Sequence, residues 1–263
     1  MEKFFFVFLF WVAIQLENPV YSQKTILLDN YYNNEKHPQT RKSYHYLWSD
    51  TEVSGFSEFG KLFEQQGYKL DVLKEKPNRS NLGGSLVYII VDPDFPQENQ
   101  SPNYIDRKTA NEIATWVKLG GVLLLMSNDV NNCEIDSLNI LASLFGIRFN
   151  KDVLHSELTM PQGQGRNFNS CASEDLPNHP LFKNVKKIFI KGISSIKCEK
   201  QANAILVENG KVLMAESDFG KGKVFAVGDP WLYNEYINHL SLPAEFDNYQ
   251  AGKNLVNLLL KKK

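Results

Sequence analysis

Gly120-Gly121-Val122-Leu123-Leu124-Leu125-Met126-Ser127-Asn128-Asp129 is the stretch that decides the fold. Two glycines end a helical pattern, five apolar residues follow without alternation, and the chain then turns polar at once. An unbroken apolar run of this length predicts a strand covered on both faces, the central position of a parallel α/β sheet. Ligands of such sheets sit beyond the carboxyl ends of the strands, which makes Ser127, Asn128 and Asp129 candidates for a site.

Outward from this run the pattern is strand, helix, strand. Thr25-Ile26-Leu27-Leu28 reads as a first strand ending in Asp29. A long polar and aromatic loop, 30–50, follows and holds Tyr31, Tyr32, His37, His45, Tyr46 and Trp48. Loops this long inside a domain are functional or disordered, and the aromatic content argues for the first. Ser54 reads as the cap of a helix that places Phe56, Phe59, Leu62 and Phe63 on one face and stops at Gly67. Strands are expected over 68–73 and 86–91, the second ending in Asp92-Pro93-Asp94, with a helix from 106 to 119 before the glycine pair. Ile135, Leu138, Leu141, Ala142 and Phe145 mark the next helix. Beyond Ile147 the pattern changes. Residues 160–173 are an excursion rich in Gly, Gln, Asn and Ser, and short strands follow at 188–190, 204–208 and 212–216. Gly220-Lys221-Gly222 reads as a hairpin turn, 224–227 as its return strand, and 246–260 as a closing helix. The expected architecture is a three-layer, doubly wound, mostly parallel α/β sheet with a C-terminal β-hairpin.

The chain has 263 residues, 43% of them hydrophobic, with 29 Lys and Arg against 30 Asp and Glu. This balance gives no reason to expect nucleic acid as a partner. Met1-Glu2-Lys3, the apolar run Phe4 to Ile14, and small residues Val20 and Ser22 describe a secretory signal peptide (1–22) cut before Gln23. Eleven apolar residues are too few to span a bilayer. The expected product is a single exported domain, 23–263, periplasmic or extracellular, with no membrane span after cleavage. Cys133, Cys171 and Cys198 fit no zinc spacing; Cys171 and Cys198 could pair, and three buried thiols are the alternative.

The strand ends carry Asp29, Asp92 and Asp94, Asn128 and Asp129, then Glu134, and finally Asp229 to Glu235. Parallel topology would gather them at one edge beside Trp48, Tyr104, Trp231, Tyr233 and Tyr236. Carboxylates and amides bond hydroxyl groups, and aromatic faces stack on sugar rings, so the mixture points to a carbohydrate. Singly, each Asp reads as the cap of a following helix; as a set they read as a site. The expected ligand-binding residues are His45, Trp48, Asp92, Asp94, Tyr104, Asn128, Glu134, Trp231, Tyr233, Asn234 and Glu235. Asp129 and Asp229 are the candidate catalytic pair for acid–base work on a glycosidic bond. No cofactor is expected; calcium held by the Asn and Asp of 128–134 is the alternative. Gly163 and Gly165 lack the context of a phosphate loop, and Ser127 lacks that of a nucleophile elbow. Asn78-Arg79-Ser80 matches a glycosylation sequon.

The central strand, the polar turn after it and the terminal strand resemble the class I glutamine amidotransferase-like (flavodoxin-like) fold. That family carries a Gly-x-Cys-x-Gly elbow and a His-Pro-Glu sequence. Here Met126-Ser127-Asn128-Asp129 and Asp229-Pro230-Trp231 stand in their places, which excludes a glutaminase, since nucleophile and base are both missing. A nearer resemblance is to a domain attached to unsaturated rhamnogalacturonyl or glucuronyl hydrolases (glycoside hydrolase families 88 and 105) of polysaccharide-degrading bacteria. It rests on Leu28-Asp29, Tyr31 to Glu35, His45-Tyr46-x-Trp48, Ser54-Gly55-Phe56, Tyr88 to Asp94, Asn103-Tyr104-Ile105, Trp116 to Asp129, Phe145-Gly146-Ile147, Val224 to Tyr236 and Leu242 to Phe246. The run Phe225 to Tyr236 is the most specific. This resemblance implies a role in degrading uronate-containing, pectin-like polysaccharide, by binding carbohydrate. A glycan hydrolase in its own right, or a docking domain for a family 88 or 105 glycosidase, are the alternatives.

Overall fold

The computed structural model describes residues 25–37, 39–156, 167–238 and 241–261. The expected signal segment 1–22, its cleavage point, and Gly163 and Gly165 lie outside them. Among the described residues no helix is long and apolar enough to cross a membrane.

The quoted apolar run forms β4 (Val122–Met126), and all five of its residues are buried. It lies between two parallel neighbours, β3 (Ser85–Val91) and β11 (Gly222–Val227). β1 (Thr25–Asp29) pairs in parallel with β3 on one side and with β2 (Lys69–Leu73) on the other. Alternate strand residues face opposite cores. Val122, Leu124 and Met126 join Phe225, Ile89 and Leu28 under α1 (Ser57–Glu64) and α5 (Asn248–Leu260). Leu123 and Leu125 face the other way, with Tyr88 and Ile90, under α3 (Arg107–Lys118) and α4 (Ile135–Ala142). A one-turn helix, α2 (Arg79–Leu82), packs against α3.

The expected doubly wound, mostly parallel, flavodoxin-like sheet is not what the chain builds. The sheet is a curled mixed one of nine strands. Past β11 it continues antiparallel through β10 (Lys211–Phe219) to β8 (Ile196–Cys198) and β5 (Ile147–Phe149), with β9 (Ala202–Glu208) also paired to β10. Thus β10–β11 is not a terminal hairpin on a parallel sheet but the point where strand direction reverses. What hid the antiparallel continuation beyond β10 is the shortness of β5 and β8. Three residues each give no readable periodicity, yet they offer enough backbone to continue the ladder. A second hairpin joins β9 to β10 through Asn209-Gly210, both at positive φ (50° and 75°), the turn chemistry that matches strand twist. β6 (Ala172–Ser173) and β7 (Ile188–Phe189) form a separate two-stranded ladder. Cys133, Cys171 and Cys198 are all free thiols, the first two buried and the third partly so; of the two readings the unpaired one holds.

Gly120 enters β4 at φ +120°, with only Lys221 Cβ, at 3.9 Å, near the place a side chain would fill. Space is therefore not the constraint; the backbone is. Gly120→Ala is expected to cost about 1–2 kcal/mol through strain alone. Urea unfolding checks this, and a variant as stable as the parent would refute it.

Candidate functional site

The parallel half of the sheet delivers its carboxyl ends to one edge. Backbone bonds extend the ladder into the loops there: Asn30 N to Leu73 O (2.8 Å), Asp92 N to Met126 O (2.9 Å) and Ser127 N to Val227 O (3.0 Å). The acidic strand tips are thereby held in register, and their surroundings give each a distinct task.

Asp29 is a hub. Oδ1 accepts the backbone N–H groups of Tyr31, Tyr32 and Asn33, and Oδ2 accepts the Tyr88 hydroxyl at 2.5 Å. Burial nevertheless lifts its pKa to about 6. Asp229 is fully buried; Oδ1 accepts Trp231 N (2.7 Å) and Oδ2 accepts Lys191 N (2.8 Å). Burial raises it to about 7, and the charge of Asp129 adds to the rise. Asp129 is spent on its own turn, accepting Asn131 N at Oδ1 and Asn132 Nδ2 at Oδ2, each at 2.8 Å. The expected catalytic pair is thus brought within electrostatic reach. The geometry gives Asp229 a different task, clamping two backbone segments, and leaves no open carboxylate on it.

Asp92 sits at the focus. It follows β3 at φ +44° directly before Pro93, a conformation rare for any residue with a side chain. Strain of this kind is kept where surrounding structure over-determines it, and it clusters at functional sites. Its Oδ2 accepts Asn128 Nδ2 (3.1 Å), its backbone oxygen accepts Asn33 Nδ2 (3.0 Å), and Oδ1 has no hydrogen-bond partner. The Tyr46 hydroxyl stands near the carboxyl without closing a bond to Oδ1. Burial, then the charge of Glu98, holds Asp92 well above the usual carboxylate range. Asp94 accepts Asn34 N (3.0 Å) and Asn99 Nδ2 (2.7 Å) on Oδ2, and burial raises it to about 6. Glu98 is exposed as a residue, yet enclosure of its carboxyl, followed by the charges of Glu35, Asp94 and Asp129, lifts it to about 8. His45, at φ +62°, holds Glu35 Oε1 through Nδ1 at 2.7 Å.

Above these tips lies an open cleft of about 290 Å³ between the loops that follow β3 and β4. Phe95, Tyr104, Val130, Glu134, Asp136 and Lys151 line it. Tyr104 is 48% exposed, and Lys151 pairs with Asp136 at 2.6 Å. Glu134 also caps α4 by accepting Ser137 N (2.8 Å), while its own N–H bonds Pro93 O.

Several expected ligands lie elsewhere. Trp48 packs on Phe56, Phe59 and Phe63 and donates Nε1 to Asp71 O (3.1 Å), on the flank of the sheet away from the edge. Trp231 is at the edge, but Lys191 Nζ covers its ring at 4.0 Å and Tyr236 lies against it at 5.5 Å. Tyr233 is buried and stacked on Phe59. Asn234 caps a single 3-10 turn through Tyr236 N. Glu235 accepts Glu58 N (3.1 Å) and so caps α1, which starts at Ser57 and takes no cap from Ser54. Glu35, Tyr46, Glu98 and Lys191 belong to the site and were not among the expected site residues, although Tyr46 was counted in the functional loop. The aromatic density of loop 30–50 was the available signal for the first two. Among the described residues, no group of three or more His, Cys, Asp or Glu could hold a metal ion, the Asn128–Glu134 turn included.

No family profile matches the chain. No curated protein matches it either. Solved structures do share its fold. The N-terminal domain of mmIFT52 is 15% identical, with a TM-score of 0.66 over 90% of this chain and 97% of that one. Cytoplasmic protein STM1381 of Salmonella typhimurium LT2 is 16% identical, with a TM-score of 0.55 over 91% of this chain and 100% of that one. A β-galactosidase of Bacillus circulans sp. alkalophilus is 13% identical, with a TM-score of 0.51 over 90% of this chain but 30% of that one. At these identities the likeness is one of fold.

Proposed function

We propose that this chain is an exported saccharide-binding domain that takes sugar residues into the cleft over the ends of β3 and β4, in the service of polysaccharide breakdown. The observation that carries this reading is the half-exposed ring of Tyr104 in a cleft that also presents Glu134, Asp136 and Lys151. An exposed aromatic face offers stacking to the C–H face of a sugar ring, and charged groups around it bond the hydroxyls. Buried carboxyls held near or above neutral pKa, such as those of Asp92 and Asp94, both donate and accept toward hydroxyl groups. Two acidic side chains in the cleft, Glu134 and Asp136, against one lysine disfavour a uronate, so within a uronate-containing glycan the neutral units are the ones bound.

Calorimetric titration with neutral galacto-, manno- and rhamno-oligosaccharides tests the proposal. At least one is expected to bind, and Tyr104→Ala is expected to weaken it about tenfold, the worth of a lost stacking contact of roughly 1.4 kcal/mol. Because Tyr104 is exposed, the substitution leaves the core intact. Absence of binding across the panel, or affinity indifferent to the loss of the ring, would overturn the reading.

A further inference from the structure

We infer that the rim formed by Glu35, Asp92, Asp94 and Glu98 is a site for a primary ammonium group, the free amine of a 2-amino sugar entering the adjoining cleft. The inference rests on the saccharide reading and names its substrate class. The first ground is which hydrogen bonds are left unmade. Asn33 Oδ1, Asp92 Oδ1 and Asp94 Oδ1 are enclosed and without partners, on residues that are 3%, 8% and 1% exposed. Once an arriving cation has displaced the carboxyl protons, all three atoms are acceptors. They sit on two loops laced together by Asn33 Nδ2 to Asp92 O (3.0 Å) and Asn34 N to Asp94 Oδ2 (3.0 Å). A site short only of donors calls for a ligand that brings several, and an ammonium brings three and no acceptor.

The second ground is charge. Among the described residues, the one ion pair made by any of these four carboxylates is His45 with Glu35. Lys191, on the neighbouring loop, keeps its ammonium over the Trp231 ring. Burial and mutual repulsion, with no compensating cation, are why Asp92 and Glu98 hold their protons so tightly. Shape separates an amine from a metal. No three carboxylates here converge closely enough to coordinate an ion, whereas acceptors spread over two loops suit the diverging N–H bonds of an amine.

The test compares glucosamine oligomers with their N-acetylated counterparts by calorimetry, with calcium chloride alone as a third titrant. Asp92→Asn is a mild change, since Asn tolerates the positive φ found there, and Glu98→Gln alters a surface residue. Glucosamine oligomers are expected to bind at least tenfold more tightly than the acetylated ones. The double variant should erase that preference, while Tyr104→Ala should weaken both series alike. Equal affinity for the two series would overturn the ammonium site and leave saccharide binding standing. Failure of both series and of the neutral sugars would overturn both. Stoichiometric binding of calcium, abolished by the double variant, would replace the amine with a metal.

Discussion

Stability is expected to fall by about 3–5 kcal/mol as the pH is raised from 5 to 8, an unusual direction for a domain of near-neutral charge. Asp29 and Asp94 sit at about 6 and Asp229 at about 7, against an ordinary 3.8. Each therefore binds its proton more tightly folded than unfolded. The stability linked to such a group is fully present below the unfolded value and is lost as pH rises through the folded one. The unfolded chain releases these protons near pH 4, so the loss spans roughly pH 4 to 8. At about 1.4 kcal/mol per pKa unit, the three carboxyls set a ceiling on the order of 10 kcal/mol over that whole span and about 5 kcal/mol between pH 5 and 8, from which water entry and local relaxation subtract. Asp106, held at about 2 by Lys76, and Asp152, also lowered, gain their stability below this window and add no slope within it. His179, lowered by burial, opposes the trend over the acidic end only. Thermal and urea unfolding at pH 5, 6, 7 and 8 measure the effect, and a flat or rising profile would refute it. Asp29→Asn should reduce the slope, because an amide oxygen still accepts from Tyr31, Tyr32 and Asn33 and the amide N–H can face the Tyr88 oxygen.

The second large effect is expected at Asp229. Replacing it with Ala strips the acceptor from Trp231 N and Lys191 N, two backbone donors that no water can replace in so enclosed a place. Each orphaned donor costs about 1–3 kcal/mol, so Asp229→Ala should lose roughly 3–5 kcal/mol with the small void included. Asn keeps one acceptor and should lose about half as much. Measured by urea at pH 6, where Asp229 largely carries its proton, the comparison is free of charge effects. A loss under 1 kcal/mol would show that the loop holding Lys191 is fastened by something else.

The contrast between those two aspartates shows how far the residues alone can be read. An apolar run such as Val122–Met126 announces burial on both faces, because only a covered strand tolerates five such side chains in a row. The ends of β1, β3, β4 and β11 were legible for the same reason, and with them the edge where polar groups gather. Three-residue strands are a different matter. Ile147–Phe149 and Ile196–Cys198 carry no pattern long enough to distinguish strand from loop, and it is they that extend the sheet beyond the strand at which its direction reverses. The reversal itself, at Gly220-Lys221-Gly222, was read as a hairpin, whereas Asn209-Gly210 advertised a second one, from β9 to β10, that was not. Within the site, attention fell on the turn after β4 at Met126–Asp129, whereas the positive φ falls after β3 at Asp92. Sequence reports the acid but not the torsion. Aromatic residues were the least legible. Trp48, Trp231 and Tyr233 have the right chemistry for a sugar platform, but protein groups already occupy their faces, and only Tyr104 is left bare.

Trp48 has a second consequence. β2 is an outermost strand, and outermost strands offer a row of free carbonyls to any extended segment that drifts by. On this border Asp71 Oδ1 accepts the outward Val72 N–H at 2.8 Å, while Trp48, its indole N–H bonded to Asp71 O, closes its ring over Leu70 and the helix beside it. With Lys69 and Asp71 projecting charge from the same strand, this border is guarded against self-association by a side chain whose loop begins at the acidic edge. Whatever rearranges residues 30–50 on that side would therefore be felt, through one indole, as a change in how safely neighbouring molecules can crowd together.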